Sequence, residues 1–400
     1  MRIKTTPFYP RLVELNHTGL WSHWAGHLSA TRYDFSAKYE YFGVRNAAAY
    51  FDASPLFKFW IRGRDAEHFL ARAMARDVRS LKPGRAQYTV WCDDEGFVME
   101  DGVLFRHAAD EFMLTAAEPN LSHLRTLARG KQVEIVEVSE DYAVLALQGP
   151  RSRAILEPLA PEIADLSYFS FTPAKVAGHP VTISRTGFTG DLGYELMIPS
   201  DDALDVLDAL IEAGEPHQLR PFGEEALNMA RIEAGLPLIG AEFTSARYAY
   251  NDAERFTPTE LGLGWLLRGI DDDSRPFVGR TAIRRELADK TSRWATVGIA
   301  VDQAAYFELF DSHGVIPVMD EIPVPWETML YDDSGERAGY ATSLMYSPMV
   351  QRYIGIARVR PELAAPGGTV HVEETVNHEY LTVPAEITSL PFFNPERKLA

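Results

Sequence analysis

Cysteine, long apolar runs and positive charge are all scarce in this sequence. Cys92 is the only cysteine among 400 residues, so neither an intrachain disulfide nor a cysteine-built zinc site can form. No window approaches the roughly 18 uninterrupted apolar residues of a membrane-spanning helix, and the N-terminus lacks the apolar core of a signal peptide. These absences predict a cytoplasmic protein with no membrane partner.

The shortage of positive charge also limits the partners. Lys and Arg number 39 against 57 Asp and Glu, which gives a formal net charge of −18. Such a chain disfavours broad contact with phosphates, so we expect no nucleic acid partner. Any anionic ligand must then be met by individual Arg or Lys side chains.

The histidines do not predict a metal site. His23 and His27 have the spacing of two ligands on one helix, but Trp24 stands where a zinc protease has glutamate. His371 and His378 are separated by a predicted turn. We therefore expect no metal ion in the site.

The rest of the sequence alternates between strand and helix patterns. Hydrophobic residues make up 46% of the chain, enough to bury more than one core, so two or three domains are expected. Short apolar runs bounded by Gly, Asp or Pro predict strands at Phe57–Arg62, Gln87–Cys92, Phe97–Phe105, Glu111–Thr115, Val133–Val138, Ala143–Leu147, Val181–Arg185 and Tyr194–Ile198. Helical spacing predicts helices at Asp65–Ala75, Leu121–Ala128, Arg151–Glu157, Asp201–Ala213 and Gly223–Ala234. The mixture has no regular βαβ rhythm, which predicts antiparallel or mixed sheets in an α+β architecture.

The pattern changes at the charge-dense segment Asp271–Lys290. Beyond it, closely spaced strands are predicted at Ala295–Val301, Ala338–Ser343, Arg352–Val359, Thr369–Val372 and Val383–Ile387. We therefore expect a first region over residues 1–290 and a smaller, β-rich domain over residues 291–400.

The stretch VTISRTGFTGDLGYELMIP, residues 181–199, places glycines and two carboxylates between two strand-like runs. It lacks the GK[ST] ending of a phosphate-binding loop and the G-x-G-x-x-G spacing of a dinucleotide site. One interpretation is a structural hairpin whose glycines supply positive φ. The other starts from Glu195, a strand carboxylate with apolar neighbours, which needs N–H donors. The guanidine-like edge of a pterin offers two donors side by side, and Phe188 or Tyr88 can stack on the ring.

Seven stretches in order along the chain carry a wider resemblance. They are YFDASPLFKFWIRGRDAEHFL (50–70), GRAQYTVWCDDEGFVMEDGVLFR (84–106), LALQGPRS (145–152), SRTGFTGDLGYEL (184–196), ALNMARIEAGLPLIGAEF (226–243), GLGWLL (262–267) and SLPFFNPERK (389–398). Together they resemble the glycine-cleavage T-protein family of folate-dependent one-carbon transferases. The resemblance implies a three-lobed cloverleaf, with two α+β lobes and a C-terminal β-barrel lobe around a central funnel. Tetrahydrofolate would enter that funnel as a co-substrate.

The resemblance also implies roles for individual residues. Glu195 falls where the family holds the pterin edge, and Asp101 falls on the catalytic aspartate. The other candidates for contact with folate are Tyr88, Arg231, Leu56, which stands where T-proteins usually have methionine, and Trp265. From the residues alone, Arg231 can also be a helix-face arginine paired with Glu225 or Glu233.

Asp101 suits the chemistry of one-carbon transfer. Positive charge develops on the 5-nitrogen of tetrahydrofolate during transfer, and a fixed carboxylate in a cleft stabilises that charge. Glu100 is the adjacent carboxylate, but neighbours on a strand face opposite ways, so only one of the two can face the funnel. Arg231 is the predicted partner of the folate tail, which ends in carboxylates.

The one-carbon donor is the open question. The stretch LTAAEPNLSHL (114–124) and the lead TPFYPRLVE resemble the dimethylsulfoniopropionate demethylase branch, whereas SRTGFTGDLGYEL is nearer to the T-protein type. We favour a small methylated donor, a sulfonium, ammonium or methoxy compound, that gives methyl-tetrahydrofolate. Its cation would be held by aromatic faces in the lead segment, at Trp21, Trp24, Tyr33 and Phe35.

Two alternatives remain. The chain can be a T-protein, which takes an aminomethyl group from a lipoyl carrier protein, or a non-catalytic folate-binding protein. The presence of both Asp101 and Glu195 argues against the second.

Overall fold

The computed structural model describes residues 3–317, 319–320 and 322–399. Within these ranges the strands form three large sheets and one two-stranded hairpin. In chain order the strands are β1 (Trp21–Trp24), β2 (His27–Ala30), β3 (Ala49–Asp52), β4 (Phe57–Arg62), β5 (Arg85–Cys92), β6 (Val98–Ala108), β7 (Glu111–Ala116), β8 (Glu134–Glu137), β9 (Tyr142–Gln148), β10 (Phe171–Val176), β11 (His179–Ser184), β12 (Gly193–Pro199), β13 (Arg220–Pro221), β14 (Ala295–Val301), β15 (Thr328–Tyr331), β16 (Arg337–Ser347), β17 (Arg352–Val359), β18 (Thr369–Val376) and β19 (Glu379–Thr388).

Nine α-helices lie in the same described ranges. They are α1 (Tyr9–Leu15), α2 (Ala37–Asn46), α3 (Ala66–Ala73), α4 (Leu121–Leu127), α5 (Ser152–Leu156), α6 (Ala203–Gly214), α7 (Glu224–Glu233), α8 (Arg280–Asp289) and α9 (Gln303–Ser312). Side-chain caps fix some of their starts. Asp302 accepts hydrogen bonds from the first backbone N–H groups of α9, and Ser36 caps α2 in the same way. None of these helices is both long and apolar enough to cross a membrane.

The first large sheet has the strand order β10-β11-β12-β9-β3-β13. Only its β3–β13 pair is parallel. Along β12, Tyr194, Leu196 and Ile198 are fully buried in the core that includes α5 and α6. The alternate residues Glu195 and Met197 face the other side of the sheet, because side chains on a strand alternate between faces.

The second sheet is antiparallel throughout, in the order β5-β6-β7-β4-β8. In its first pair, Val90 lies opposite Asp101 and Tyr88 lies opposite Val103, so these four residues share one face. Trp91 is completely buried on the other face, in the core that α3 and α4 cover. The sheet therefore separates an apolar core from the face that carries Asp101.

The third sheet closes into a six-stranded barrel, β14-β17-β16-β15-β18-β19. Along β14, Val297, Ile299 and Val301 belong to the barrel core. Ala300 belongs instead to a cluster with Phe51 of the first sheet, helix α7 and barrel residues of β16 and β17. That cluster joins the barrel to the lobe that is built on the first sheet, which we call the first lobe.

A buried ionic network reinforces this junction. Arg45 of α2 pairs with Glu233 of α7 at 2.7 Å, and both side chains are fully buried. Ser347 of the barrel donates to the same glutamate at 2.6 Å. Removing one partner would leave an uncompensated buried charge, which typically costs about 3–5 kcal/mol.

The α+β prediction with a C-terminal barrel is confirmed. Ala295–Val301 and Arg352–Val359 have the predicted bounds, while the division of the chain after residue 290 stays a prediction. Helix α9 is an addition to the predicted run of strands. Its Asp302 cap and the packing of Tyr306 and Phe310 stabilise a helix directly after β14.

Candidate functional site

A cavity of about 1640 Å³ lies where the two open sheets and the barrel meet. Its wall includes Glu195 from β12, Asp101 from β6 and Ser343 from β16. Sites for one small molecule usually enclose about 300–1,000 Å³. The cavity therefore has room for a folate-sized ligand together with part of a second reactant.

Asp101 faces this cavity and is held from the neighbouring strand. The hydroxyl of Tyr88 donates to Oδ2 of Asp101 at 2.8 Å. Burial raises the pKa of Asp101, whereas hydrogen bonds from Tyr88 and from the Glu100 side chain lower it. The ionised form of a desolvated carboxylate is thus supported by fixed donors.

Glu100 points away from the cavity, into the core of the second sheet. Its Oε1 accepts from the backbone N–H of Asp101 at 3.0 Å, and its Oε2 accepts from the backbone N–H of Glu118 at 2.9 Å. Burial and the neighbouring charge of Asp101 raise the pKa of Glu100. Of the two adjacent carboxyls, Asp101 is the one that a ligand can reach.

Glu195 faces the same cavity from the first sheet. Thr186 donates a short hydrogen bond to Oε2 of Glu195, and Ser184 bonds to the Thr186 hydroxyl at 2.6 Å. Burial raises the pKa of Glu195, and no Arg or Lys in the described chain pairs with it. A half-buried carboxylate that faces a cavity and is not itself paired with a cation suits a ligand with several N–H donors.

Two glycines near Glu195, Gly187 and Gly193, make room for the side chain of Gln148. Gln148 is almost fully buried, accepts from the Thr189 hydroxyl at 2.8 Å and donates to the carbonyl of Tyr194 at 3.3 Å. A Cβ on Gly187 or on Gly193 would lie 2.1 Å or 2.4 Å from Gln148 atoms. Gly190 is the one glycine of this loop with positive φ, at +71°. The glycines therefore bring the loop onto Gln148, which ties it to β9.

Arg231 lines the cavity, but its guanidinium is already occupied. It is 3% exposed, and its Nη1 donates to Oε1 of Glu242 at 2.6 Å. Its Nη2 donates to the hydroxyl of Ser343 at 2.8 Å, and its Nε donates to Asn228 at 3.2 Å. The partner is Glu242 rather than Glu225 or Glu233, and the pair connects α7 to the barrel.

The other predicted folate contacts also reach the cavity. Leu56, Phe188 and Trp265 all line it. Trp265 stacks on the Tyr88 ring with centroids 6.3 Å apart and an interplanar angle of 26°. Trp265 is 56% exposed, so this pair marks the mouth of the cavity.

The predicted aromatic cage is not assembled. Trp24 lines the cavity, with its ring centroid 6.2 Å from that of Phe51. Trp21 packs instead against Tyr9 at the edge of the first lobe's core, and Tyr33 is buried in that same core. Trp21 and Trp24 are three residues apart on β1, a spacing that directs side chains to opposite faces of a strand. Phe35 lies exposed at the surface.

Comparison with known proteins identifies the family of this chain. Residues 12–269 match the GCVT N-terminal domain, and residues 315–394 match the glycine cleavage T-protein C-terminal barrel domain. The chain belongs to the glycine cleavage T-protein family. It is 31% identical to an aminomethyltransferase of Thermus thermophilus over 395 residues, with 98% of this chain and 99% of the relative covered. An aminomethyltransferase of Bacillus subtilis is 30% identical, with 90% and 91% covered.

The fold agrees with that of a solved T-protein. The crystal structure of glycine cleavage system aminomethyltransferase T from Bartonella henselae matches with a TM-score of 0.81 and 23% identity, over 98% of this chain and 99% of that one. As a member of the T-protein family, the chain is a tetrahydrofolate-dependent one-carbon transferase, and tetrahydrofolate is its co-substrate. The predicted enzyme class and co-substrate are therefore confirmed.

The cavity wall of this T-protein family member includes residues outside the predicted set, among them Gln148 and Arg76. Gln148 stands in LALQGPRS, one of the stretches that carry the resemblance, but nothing local indicates that its side chain is buried beneath the loop 185–192. Arg76 lies in the stretch between α3 and β5 and lines the cavity. No motif distinguishes it from the chain's other arginines, because its position depends on contacts with β5 and Trp265.

Proposed function

We propose that this protein is an aminomethyltransferase of glycine cleavage, with a lipoyl carrier protein as its partner. The observation that carries the proposal is similarity over at least 90% of both chains to proteins named aminomethyltransferase. That similarity accompanies a cavity in which Asp101 and Glu195 stand on different lobes. The methyl-transferring demethylase that the lead segment favours is then the second candidate.

The transfer balances without an added oxidant or reductant. The donor carries –S–CH₂–NH₂ on its lipoyl arm. The carbon–sulfur and carbon–ammonia bonds break, and the methylene carbon forms bonds to the 5- and 10-nitrogens of tetrahydrofolate. The two protons lost by those nitrogens go to the thiol and to ammonia. The products are the dihydrolipoyl carrier, ammonia and methylene-tetrahydrofolate.

In this proposal Asp101 stabilises the positive charge that develops on the 5-nitrogen. A fixed carboxylate in a cleft does this better than water, because its orientation costs nothing at the moment of reaction. Glu195 accepts the pterin N–H groups on the facing lobe. The cavity volume leaves space for the lipoyl arm to meet the folate there.

One observation favours the second candidate. Trp24 lines the cavity beside Phe51, with the two ring centroids 6.2 Å apart. Aromatic faces suit a sulfonium or quaternary ammonium group. Such a donor would pass a methyl group to the 5-nitrogen and leave as a neutral sulfide or amine.

The product distinguishes the two candidates. The protein is incubated with tetrahydrofolate and either aminomethyl-lipoyl carrier protein or a panel of sulfonium and ammonium donors, and the folate product is identified by mass. We expect methylene-tetrahydrofolate and ammonia from the carrier. Methyl-tetrahydrofolate from an onium compound, with no turnover of the carrier, would overturn the aminomethyltransferase proposal. The Trp24→Leu variant then checks the second candidate, since it should raise the KM of an onium donor alone.

A further inference from the structure

The folate tail ends in carboxylates, and the cavity of this acidic protein offers few cations to meet them. The cations that line the described cavity wall are Arg76, Arg85, Arg231 and Lys398. Arg231 donates from all three kinds of guanidinium nitrogen to Glu242, Ser343 and Asn228, so it is committed to the protein. A ligand carboxylate must therefore find another partner.

Arg85 and Lys398 both lie beside Tyr168. Arg85 donates to the hydroxyl of Ser167 at 2.6 Å and to the carbonyl of Tyr168 at 3.0 Å. The Lys398 ammonium lies 5.7 Å from the centre of the Tyr168 ring, and Asp191 acts on it electrostatically. Both side chains line the cavity.

In the described parts of the chain no carboxylate acts on Arg76, unlike Arg231 and Lys398, and Arg76 makes fewer hydrogen bonds than Arg85. Its side chain donates one hydrogen bond, from Nη1 to the backbone carbonyl of Tyr88 at 3.1 Å. Its guanidinium carbon lies 5.4 Å from the centre of the Trp265 ring. No ion pair joins Arg76 to a carboxylate anywhere in the described parts of the chain. Burial lowers its pKa, and no carboxylate opposes that effect.

The position of Arg76 fits the far end of a folate. The Tyr88 hydroxyl bonds to Asp101, whereas the Tyr88 carbonyl bonds to Arg76, so the tyrosine spans the distance between them. Trp265, half exposed at the mouth, covers the Tyr88 ring and contacts Arg76. A folate whose 5-nitrogen lies at Asp101 would direct its carboxylates outward, along this wall.

We propose that Arg76 and Trp265 form a carboxylate subsite at the mouth of the cavity, and that it holds the glutamyl tail of tetrahydrofolate. The proposal rests on tetrahydrofolate being the co-substrate. The guanidinium fork supplies the charge and two parallel donors, and the Trp265 face holds the fork in place. The other source of the same chemistry is a donor that carries a carboxylate.

The test compares ligands with and without the tail, in the absence of any donor. Calorimetry gives the Kd of tetrahydrofolate and of tetrahydropteroate, which lacks the glutamate, for the wild type, Arg76→Gln and Arg76→Lys. We expect Arg76→Gln to weaken tetrahydrofolate about tenfold, the effect of a charged hydrogen bond at a partly exposed site. Tetrahydropteroate should bind the wild type and Arg76→Gln equally well. Arg76→Lys should retain part of the affinity for tetrahydrofolate.

A matched control variant and a second measurement, the KM of a donor that carries a carboxylate, make the result specific. Arg72→Gln removes the same charge from the exposed end of α3, outside the cavity wall, and should leave both Kd values unchanged. If Arg76→Gln leaves folate binding intact but raises the KM of dimethylsulfoniopropionate, the carboxylate subsite stands and its ligand is the donor.

Two outcomes would overturn the subsite: no change in either arm, or an equal loss for tetrahydrofolate and tetrahydropteroate. Failure of the wild type to bind either folate would overturn the folate function together with the subsite.

Discussion

The hydroxyl of Tyr88 donates a 2.8 Å hydrogen bond to Oδ2 of Asp101 across neighbouring strands. This bond lowers the pKa of a carboxyl that burial raises, and it holds the carboxylate toward the cavity. The same tyrosine ring stacks on Trp265 at the mouth. Tyr88 therefore fixes both the charge and the orientation of the proposed catalytic group.

Asp101→Asn should lower kcat by about 100-fold or more while changing the Kd of tetrahydrofolate little, because the lost interaction grows only as charge develops. Steady-state kinetics with calorimetry checks the separation. Glu100→Gln is the matched control, and it should do much less, since Glu100 points into the core of the second sheet and does not line the cavity. Equal losses in the two variants would contradict the assignment of Asp101 to the reacting face.

Tyr88→Phe should move the acid limb of the pH–kcat profile to higher pH. Activity requires ionised Asp101. Without the hydrogen bond from Tyr88, which lowers the pKa of Asp101, the effect of burial raises that pKa further. Activity would thus disappear sooner as the pH falls, while the alkaline side stays in place. Tyr248→Phe, outside the cavity wall, should leave the profile unchanged. An unshifted acid limb in Tyr88→Phe would mean that another group controls it.

Glu195→Gln should weaken tetrahydrofolate by about 1.5–3 kcal/mol, because an amide oxygen cannot replace two carboxylate oxygens facing two N–H donors. Titration calorimetry measures the loss. Glu212→Gln, on the exposed side of α6, is the control and should bind like the wild type. Unchanged affinity in Glu195→Gln would remove this residue from the folate site.

Glu195→Gln should also stabilise the folate-free protein at neutral and alkaline pH. Burial raises the folded-state pKa of Glu195, so the ionised carboxylate destabilises the native state. That cost is absent below the unfolded pKa of about 4.3 and is complete above the folded pKa. The Tm difference between variant and wild type should therefore grow as the pH rises through this window. A Tm difference independent of pH would contradict it.

Gly187→Ala should destabilise the protein by about 1–3 kcal/mol, the usual cost of an overpacked core. The new Cβ would lie 2.1 Å from Oε1 of Gln148 and displace the side chain that holds the loop. Urea unfolding measures the change, and Gly264→Ala, where nothing lies within 4 Å of the added Cβ, is the control. In a Gln148→Ala background the cost should largely vanish. If it persists there, the clash with Gln148 is not its cause.

Much of the fold can be read from local pattern. Strands such as Ala295–Val301 are recognised because a short apolar run between turns favours a buried strand whatever its partners are. Short elements escape this approach. β3, Ala49–Asp52, is stabilised by pairing with β9, which comes some 90 residues later, and the hairpin β1–β2 by packing against the first lobe.

The site, too, has parts that local sequence predicts and a part that it does not. Asp101 and Glu195 are identifiable because each is a carboxylate on a strand in a recognisable stretch. Alternation along the strand allows only one of Glu100 and Asp101 to face the cavity, and the structure shows that it is Asp101. The donor is different. Two departures in the sequence favoured a methyl donor, whereas similarity over the whole chain supports the aminomethyl donor better.

The sequence by itself determined the family and the α+β lobes with a barrel, and it predicted the two site carboxylates, because these depend on patterns within a few residues of one another. Only the tertiary structure decided which cation is available. Arg231 is neutralised by Glu242 and hydrogen-bonded to Ser343, which lies 112 residues along the chain, while Arg76 forms no ion pair with any residue that the structure describes. It also decided that Trp24 lines the cavity and that Trp21 does not. Ionic pairing and burial are set by distances in space, and residues that meet from different lobes carry no mark of it in their own neighbourhood of the chain.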